Sequence, residues 1–235
     1  MTQAQTMYAL GHEQLTNLIA AVANETTILV QGEMGTGKSS LLTALAEQMS
    51  GHTACYFDCT TKDLGDITIP VLKDADGQDY VRFATNEELG IHLHNTPIIL
   101  MIDEYGKANP AVKNALLRLM QERQGGSYEL HPDSLIFATT NLGAEGICDI
   151  LPPHARNRIM VVTSRKPTHI EWIEWGINNE LDFGLLGWVR DNPQLFQSFT
   201  EISDPEENAY IFHPRAVGRA AFVTPRSLHK ASNLL

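Results

Sequence analysis

The chain has 235 residues, of which 43% are hydrophobic and 19% are charged, as in an ordinary soluble globular protein. It contains no apolar run long enough for a membrane-spanning helix, and its formal net charge of −11 disfavours nonspecific binding to nucleic-acid phosphates. The N-terminus lacks the basic start and apolar stretch of a secretory signal, so we expect a cytoplasmic setting.

Short apolar runs alternate with helix-like segments from residue 27 to about residue 163. This alternation is typical of a parallel α/β sheet whose strands are buried on both faces. One helix is predicted over Lys38–Met49, and another begins at Asn109-Pro110, where a capping residue precedes a proline. The predicted strands are Thr27–Gln31, Ala54–Asp58, Pro97–Ile102, Leu135–Thr140 and Ile159–Thr163.

Two segments predict β-hairpins inserted into this pattern. In residues 64–83, two apolar runs flank Asp76-Gly77, and in residues 124–130 a shorter hairpin surrounds Gly125-Gly126. From residue 165 the strand signal disappears, and helices are expected with Trp172, Trp175 and Trp188 in their core. We therefore predict a nucleotide-binding core over residues 1–164 and a helical lid over residues 165–235.

Residues 32–39 match the phosphate-loop pattern G-x-x-x-x-G-K-[ST] and lie between a predicted strand and a predicted helix. Glycines let successive backbone N–H groups point at phosphates, and Lys38 supplies a positive charge to the β and γ phosphates. The hydroxyl of Ser39 is a ligand for Mg²⁺. The sequence therefore predicts binding of ATP and Mg²⁺ by Gly32, Glu33, Met34, Gly35, Thr36, Gly37, Lys38, Ser39 and Ser40.

Two further predicted strands end in polar residues. Asp103 and Glu104 follow one apolar run, and Asn141 follows another. The carboxyl ends of the strands are where open α/β sheets bind ligands. We expect Asp103 to hold the magnesium shell and Glu104 to orient and deprotonate the attacking water. Asn141 is either a turn former or a residue that holds this water or senses the γ-phosphate.

The ordered set of motifs resembles the AAA+ ATPases, and within them the MoxR-type branch. These motifs are the phosphate loop, Ile99–Glu104, Ala138–Asn141, Leu151–Ile159 and Thr224–Ser227, preceded by Gly11-His12-Glu13, which resembles the start of the family's adenine-pocket segment. The resemblance implies a P-loop NTPase αβα core with a five-stranded parallel sheet, followed by a helical lid. It also implies a homo-oligomeric ring, usually hexameric, with ATP between neighbouring subunits.

The resemblance implies roles for individual residues. Asn141 matches sensor 1, Arg226 matches the sensor 2 arginine of the lid, and Arg158 matches the arginine finger that acts on a neighbouring subunit. Arg156 is the rival finger candidate. A surface charge or a structural ion pair is the alternative for each arginine. Family lids generally continue beyond the position of Arg226, so an abbreviated lid and a truncated one both remain open.

Both hairpins stand where MoxR-type proteins carry insertions that face the pore or the axial surface and contact the client. Leu64, Ile69 and Phe83 either contact a client in this way or pack the first hairpin onto its core. Lys107 occupies a position where the family often has arginine, and its role is left open.

The leading hypothesis is a ring-forming ATPase that remodels or activates a protein partner. The resemblance implies that this partner carries a von Willebrand factor A domain, and the compact chain also resembles MoxR-like ATPases encoded by bacteriophages. A nucleic-acid motor or helicase loader is the alternative, disfavoured by the acidic charge. A small-molecule kinase is a third class, disfavoured by the arginine pattern.

Overall fold

The computed structural model of the chain describes residues 9–75, 78–142, 151 and 157–235. The helices of these residues are α1 (His12–Val22), α2 (Ser40–Gln48), α3 (Pro110–Glu122), α4 (His169–Asn178), α5 (Phe183–Asp191) and α6 (Pro225–Ser232). The strands are β1 (Ala9–Leu10), β2 (Thr27–Gly32), β3 (Thr53–Asp58), β4 (Thr68–Ala75), β5 (Gln78–Thr85), β6 (Ile98–Asp103), β7 (Gln124–Gly125), β8 (Tyr128–Glu129), β9 (Leu135–Asn141) and β10 (Ile159–Ser164).

The main sheet is parallel, with the strand order β1-β10-β2-β9-β6-β3. The five predicted strands are confirmed, and each observed bound lies within one residue of its prediction. The expected count of five is corrected to six, because Ala9 and Leu10 pair with Thr163 and Ser164 at the edge of the sheet. A pairing of two residues is too short to leave an apolar pattern in the sequence.

Helices cover both faces of this sheet. On one face, Ile99, Met101 and Phe137 share a cluster with residues of α1 and α2. On the other face, Leu100 and Ile102 pack with residues of α3. Each such side chain is fully buried, and such burial contributes about 1.5–3 kcal/mol per large apolar side chain. The predicted αβα arrangement follows from this two-sided burial.

Both predicted hairpins are present, although the first lies further along the chain than expected. Its strands β4 and β5 pair antiparallel from Thr68 opposite Thr85, and residues 64–66 form a 3₁₀ turn before it. Its predicted turn, Asp76-Gly77, lies outside the described residues. The guanidinium of Arg82 stands 4.7 Å from the ring centre of Tyr128, which joins the first hairpin to the second.

After Ser164 the described secondary structure is entirely helical, and it has an apolar cluster of its own. Trp172 is buried in that cluster, whereas Trp175 and Trp188 remain 41% and 43% exposed, so the expectation of three core tryptophans is wrong for two of them. The division into residues 1–164 and 165–235 stays a prediction. No helix in the described ranges is long and apolar enough to cross a membrane.

The helix α3 begins as its sequence predicts. Asn109 has an extended backbone, and its side-chain oxygen accepts a hydrogen bond of 3.0 Å from the backbone N–H of Val112. Pro110 occupies the first helical position, where no backbone N–H is needed. This cap fixes the start of the helix that covers one face of the sheet.

We expect Asn109→Ala to lower the free energy of unfolding by about 1 kcal/mol, because the first turn of α3 then loses its side-chain acceptor. Asn109→Asp retains an acceptor and serves as the matched control. Urea unfolding followed by circular dichroism measures both variants. Equal midpoints for Asn109→Ala and the unsubstituted protein would contradict this role of the cap.

Candidate functional site

The loop from Gly32 to Ser39 joins β2 to α2 in a conformation that requires glycine at two positions. Gly35 and Gly37 have φ angles of +73° and +91°, a region that L side chains rarely adopt. The hydroxyl of Thr36 donates to the carbonyl of Glu33 at 2.9 Å and closes the loop from inside. A tight, glycine-dependent turn before a helix N-terminus is a cradle suited to phosphate groups.

Lys38 brings a buried positive charge into this cradle. Its ammonium donates to the carbonyls of Gly32 and Glu33, at 2.9 and 2.7 Å, and to Oδ1 of Asn141 at 3.1 Å. The residue is only 8% exposed. The cationic charge, the glycine turn and the following helix together fit a nucleotide phosphate chain.

Asp103, at the end of β6, is a buried carboxylate held by several donors. It accepts hydrogen bonds from the hydroxyls of Tyr56 at 2.9 Å, Ser39 at 3.4 Å and Thr139, and from the backbone N–H of Glu104 at 3.1 Å. Burial, followed by the hydrogen bond to Asp103, raises the pKa of Tyr56, so its phenol stays a donor. The adjacent hydroxyl of Ser39 and carboxylate of Asp103 are the hard oxygen ligands that Mg²⁺ prefers.

Glu104 lies next to Asp103 with a strained backbone. Its φ of +53° is left-handed, which costs a non-glycine residue on the order of 1–3 kcal/mol and tends to occur at functional sites. Its backbone N–H also faces the hydroxyl of Thr139 at 3.3 Å. This conformation turns its carboxylate towards Nδ2 of Asn141, at 3.3 Å, and Nζ of Lys107, at 3.1 Å.

Asn141 links the two halves of the site. Its side-chain oxygen accepts from Lys38, while its side-chain nitrogen donates to Glu104. The structure therefore brings together Lys38, Ser39, Asp103, Glu104 and Asn141, all of which were predicted from the sequence as separate motifs.

Two residues at the site were not predicted. Thr139 lies two residues before Asn141 in β9, and the two-residue period of a strand could have placed both on one face. Tyr56 reaches Asp103 from β3, and the sequence carries no local signal for the pairing of β3 with β6 that allows this contact.

Three predicted members of the loop have contacts of different kinds. The backbone carbonyl of Glu33 accepts a hydrogen bond from Lys38. Its carboxylate lies outside the loop and pairs with Lys166 at 2.8 Å. The Ser40 hydroxyl donates to the carbonyl of Gly37 at 2.6 Å and stands 2.9 Å from Nε2 of His12. Burial lowers the pKa of His12. The backbone of Met34 continues the turn between Glu33 and Gly35.

Arg226 belongs to the same side of the molecule as the phosphate loop. It is an exposed residue in the first turn of α6, whose cap is Thr224. A Cβ added at Gly35 would lie 2.8 Å from Cβ of Thr224, so the loop and the start of α6 are in direct contact. The backbone of Arg226, two residues after Thr224, therefore lies near the phosphate loop of its own chain.

Arg158 lies at the opposite end of the strands, just before the amino end of β10. It is exposed immediately before β10, with its carbonyl 3.5 Å from the hydroxyl of Thr26 and Nη1 donating to Gln121 at 3.2 Å. In the parallel register Ile159 pairs with Thr27 and Ser164 pairs with Gly32. A strand rises about 3.3 Å per residue, which places Arg158 about 20 Å from the phosphate loop of its own chain. Arg156 lies outside the described residues.

Known protein families and solved structures show what the chain is similar to. Residues 28–165 match the model of the ATPase family associated with various cellular activities (AAA), and no curated protein sequence matches the chain. Among solved structures, a candidate ATPase from Cytophaga hutchinsonii is similar, with 19% identity over 74% of this chain and 52% of that chain and a TM-score of 0.51. The RuvB Holliday junction branch migration motor of Thermotoga maritima also matches, with 17% identity over 73% of this chain and 51% of that chain and a TM-score of 0.45.

The chain thus spans about half the length of these solved structures. At 19% identity, the likeness to the candidate ATPase shows the fold alone. The family match is stronger evidence, because it covers more than half of the chain. The matched residues 28–165 contain the phosphate loop, Asp103, Glu104 and Asn141. An ATPase domain of this kind implies nucleotide binding and hydrolysis. The chain belongs to the ATPase family associated with various cellular activities (AAA).

Proposed function

We propose that the chain hydrolyses Mg²⁺-bound ATP as one subunit of a homo-oligomeric ring, expected to be a hexamer. Lys38 and the loop amides bind the phosphates, and Ser39 and Asp103 are the residues that hold the magnesium ion. When bound, the ion neutralises charge on the phosphate oxygens.

The carboxylate of Glu104 is the general base in this proposal. Its side chain is 26% exposed, so water reaches it, while the amide nitrogen of Asn141 lies 3.3 Å from it. Glu104 takes a proton from the water that attacks the γ-phosphate, and Asn141 orients that water beside the base. Lys107, 3.1 Å away, restrains the carboxylate.

The single observation that carries the ring is the position of Arg158. A finger arginine must reach the transferring phosphoryl group, where it stabilises the charge of the transition state. Arg158 lies about 20 Å from its own phosphate loop because the whole length of β10 separates the two levels of the sheet. If Arg158 contributes to hydrolysis, it does so at the site of a second copy of the chain. Arg156 is the rival for the same role.

In our proposal the ring acts on a protein partner, as MoxR-type ATPases do. The candidate partner is a protein with a von Willebrand factor A domain. The first hairpin supports this idea, because Ile69 and Phe83 remain 60% and 45% exposed instead of packing fully onto the core, and Leu64, in the turn before the hairpin, is 52% exposed. The net charge of −11 disfavours a nucleic-acid track. A nucleic-acid motor is the alternative.

We expect the turnover of ATP per subunit to rise steeply with protein concentration, because each site is completed by a neighbour. Arg158→Ala should lower turnover by about 1,000-fold or more without loss of ATP binding. Arg190→Ala, which removes an exposed arginine of α5 paired with Asp191, is the matched control and should leave turnover unchanged. The rate of phosphate release measures turnover for the unsubstituted protein, Arg158→Ala and Arg190→Ala.

A mixing experiment decides whether the arginine acts across subunits. Arg158→Ala subunits added to Glu104→Gln subunits should restore hydrolysis at interfaces where an intact arginine faces an intact base. A turnover independent of protein concentration, together with no restoration on mixing, would rule out the neighbour's arginine.

Substitution of the base and substitution of the phosphate-binding lysine should have different effects. Glu104→Gln keeps the shape of the site but removes the proton acceptor, so we expect ATP binding with hydrolysis slower by at least about 100-fold. Lys38→Ala should lose nucleotide binding itself. Fluorescent nucleotide titration and phosphate release separate the two effects. Normal hydrolysis by Glu104→Gln would show that another group is the base.

Addition of DNA tests the alternative function. Because the surface is acidic, we expect neither single-stranded nor duplex DNA to stimulate hydrolysis at low salt. A stimulation that falls steeply as the salt concentration rises would favour the nucleic-acid motor over the protein-remodelling ATPase.

A further inference from the structure

Glu33 makes contacts in two directions. Its backbone carbonyl, inside the phosphate loop, accepts from the ammonium of Lys38 at 2.7 Å and from the hydroxyl of Thr36 at 2.9 Å. Its carboxylate, outside the loop, pairs with the ammonium of Lys166 at 2.8 Å and accepts a hydrogen bond from the hydroxyl of Ser198. One residue thus connects the phosphate-binding lysine to the C-terminal helical region (residues 165–235).

This connection is buried and reaches two separate segments of the C-terminal helical region. The side chains of Glu33 and Lys166 are only 7% and 6% exposed. Lys166 lies two residues after β10, on the way to α4, and its ammonium also donates to the carbonyl of Gln197 at 2.8 Å. Ser198 caps the 3₁₀ turn Phe199–Glu201. The ion pair therefore fixes residues 166 and 197–198 relative to the phosphate loop.

Stability alone is a weak reason for such a pair. The cost of desolvating two charges roughly cancels their attraction, and an apolar pair of similar size often stabilises a fold as well or better. The ion pair adds geometric specificity, because its directional hydrogen bonds favour one orientation of residues 166 and 197–198 relative to the phosphate loop. The loop also approaches the C-terminal helical region at a second place, where Gly35 lies against Thr224.

We propose that Glu33 is a positioning residue that couples occupancy of the phosphate loop to the C-terminal helical region through Lys166 and Ser198. The proposal rests on the proposed binding of ATP at this loop. A phosphate group that engages Lys38 competes with the carbonyl of Glu33 for the ammonium. Hydrogen bonds from the loop N–H groups to the same phosphate order the loop that carries Glu33. Through its contacts with Lys166 and Ser198, the carboxylate of Glu33 then restrains residues 197–198. The C-terminal helical region therefore loses conformational freedom.

Amide hydrogen exchange of the segment 193–201, followed by mass spectrometry, tests the coupling without any need for hydrolysis. In the unsubstituted protein, ADP or a non-hydrolysable ATP analogue should slow this exchange by about fivefold or more, the usual range of coupling between sites. In the double variant Glu33→Gln/Lys166→Met, which leaves no unpaired buried charge, the exchange of 193–201 should be unchanged at a nucleotide concentration that saturates this variant in a titration with fluorescent ADP.

Two further variants separate coupling from simple structural support. Lys166→Arg keeps the charge and should keep the exchange response. Glu171→Gln removes the neighbouring ion pair with Arg165, which does not involve Glu33, and should also keep it. A double variant that responds to nucleotide like the unsubstituted protein would overturn the inference.

Failure of the inference and failure of the proposed function give different results. Binding of fluorescent ADP without any exchange response in the unsubstituted protein overturns the coupling alone. Absence of nucleotide binding in the unsubstituted protein removes the proposed function, and the coupling with it.

Discussion

The parallel register of β2, β9 and β6 is the constraint on which the rest of the site depends. Gly32 pairs with Asn141, and Ala138 pairs with Ile102, so the ends of the three strands lie at one edge of the sheet. Side chains alternate between faces along a strand, and a shift of one residue in either pairing would turn Asp103 or Asn141 to the opposite face. The register is held by the apolar residues below it, which are buried on both faces.

At this edge, three charged side chains and one amide are joined by short contacts. The ammonium of Lys38 contacts Asn141, the amide of Asn141 contacts Glu104, and Glu104 contacts the ammonium of Lys107. Each buried or partly buried charge therefore has a partner, which avoids the cost of an isolated charge. Occupation of the site by an anion necessarily redistributes these contacts, since the phosphates compete for the same ammonium.

Local patterns in the sequence predicted the parts of this arrangement that depend on neighbouring residues. The strands follow from apolar runs, the phosphate loop from its glycine spacing, and the start of α3 from Asn109-Pro110. Contacts between distant segments left no such signal. Ser198 and Glu33 are 165 residues apart, and neither Tyr56 nor Lys166 belongs to a motif. Trp175 and Trp188 failed as core residues because helical spacing cannot say which face is covered.

The two arginines of the C-terminal half lie at different distances from the phosphate loop of their own chain. Arg226 lies two residues after Thr224, which approaches Gly35, so its backbone is near the loop of its own chain. Arg158 precedes a strand that pairs with β2 along its full length, so the same sheet that builds the phosphate loop holds this arginine away from it. No rearrangement of side chains can close a gap of about 20 Å along a paired strand. Such an arginine can contribute to hydrolysis only at the phosphate loop of a second copy of the chain.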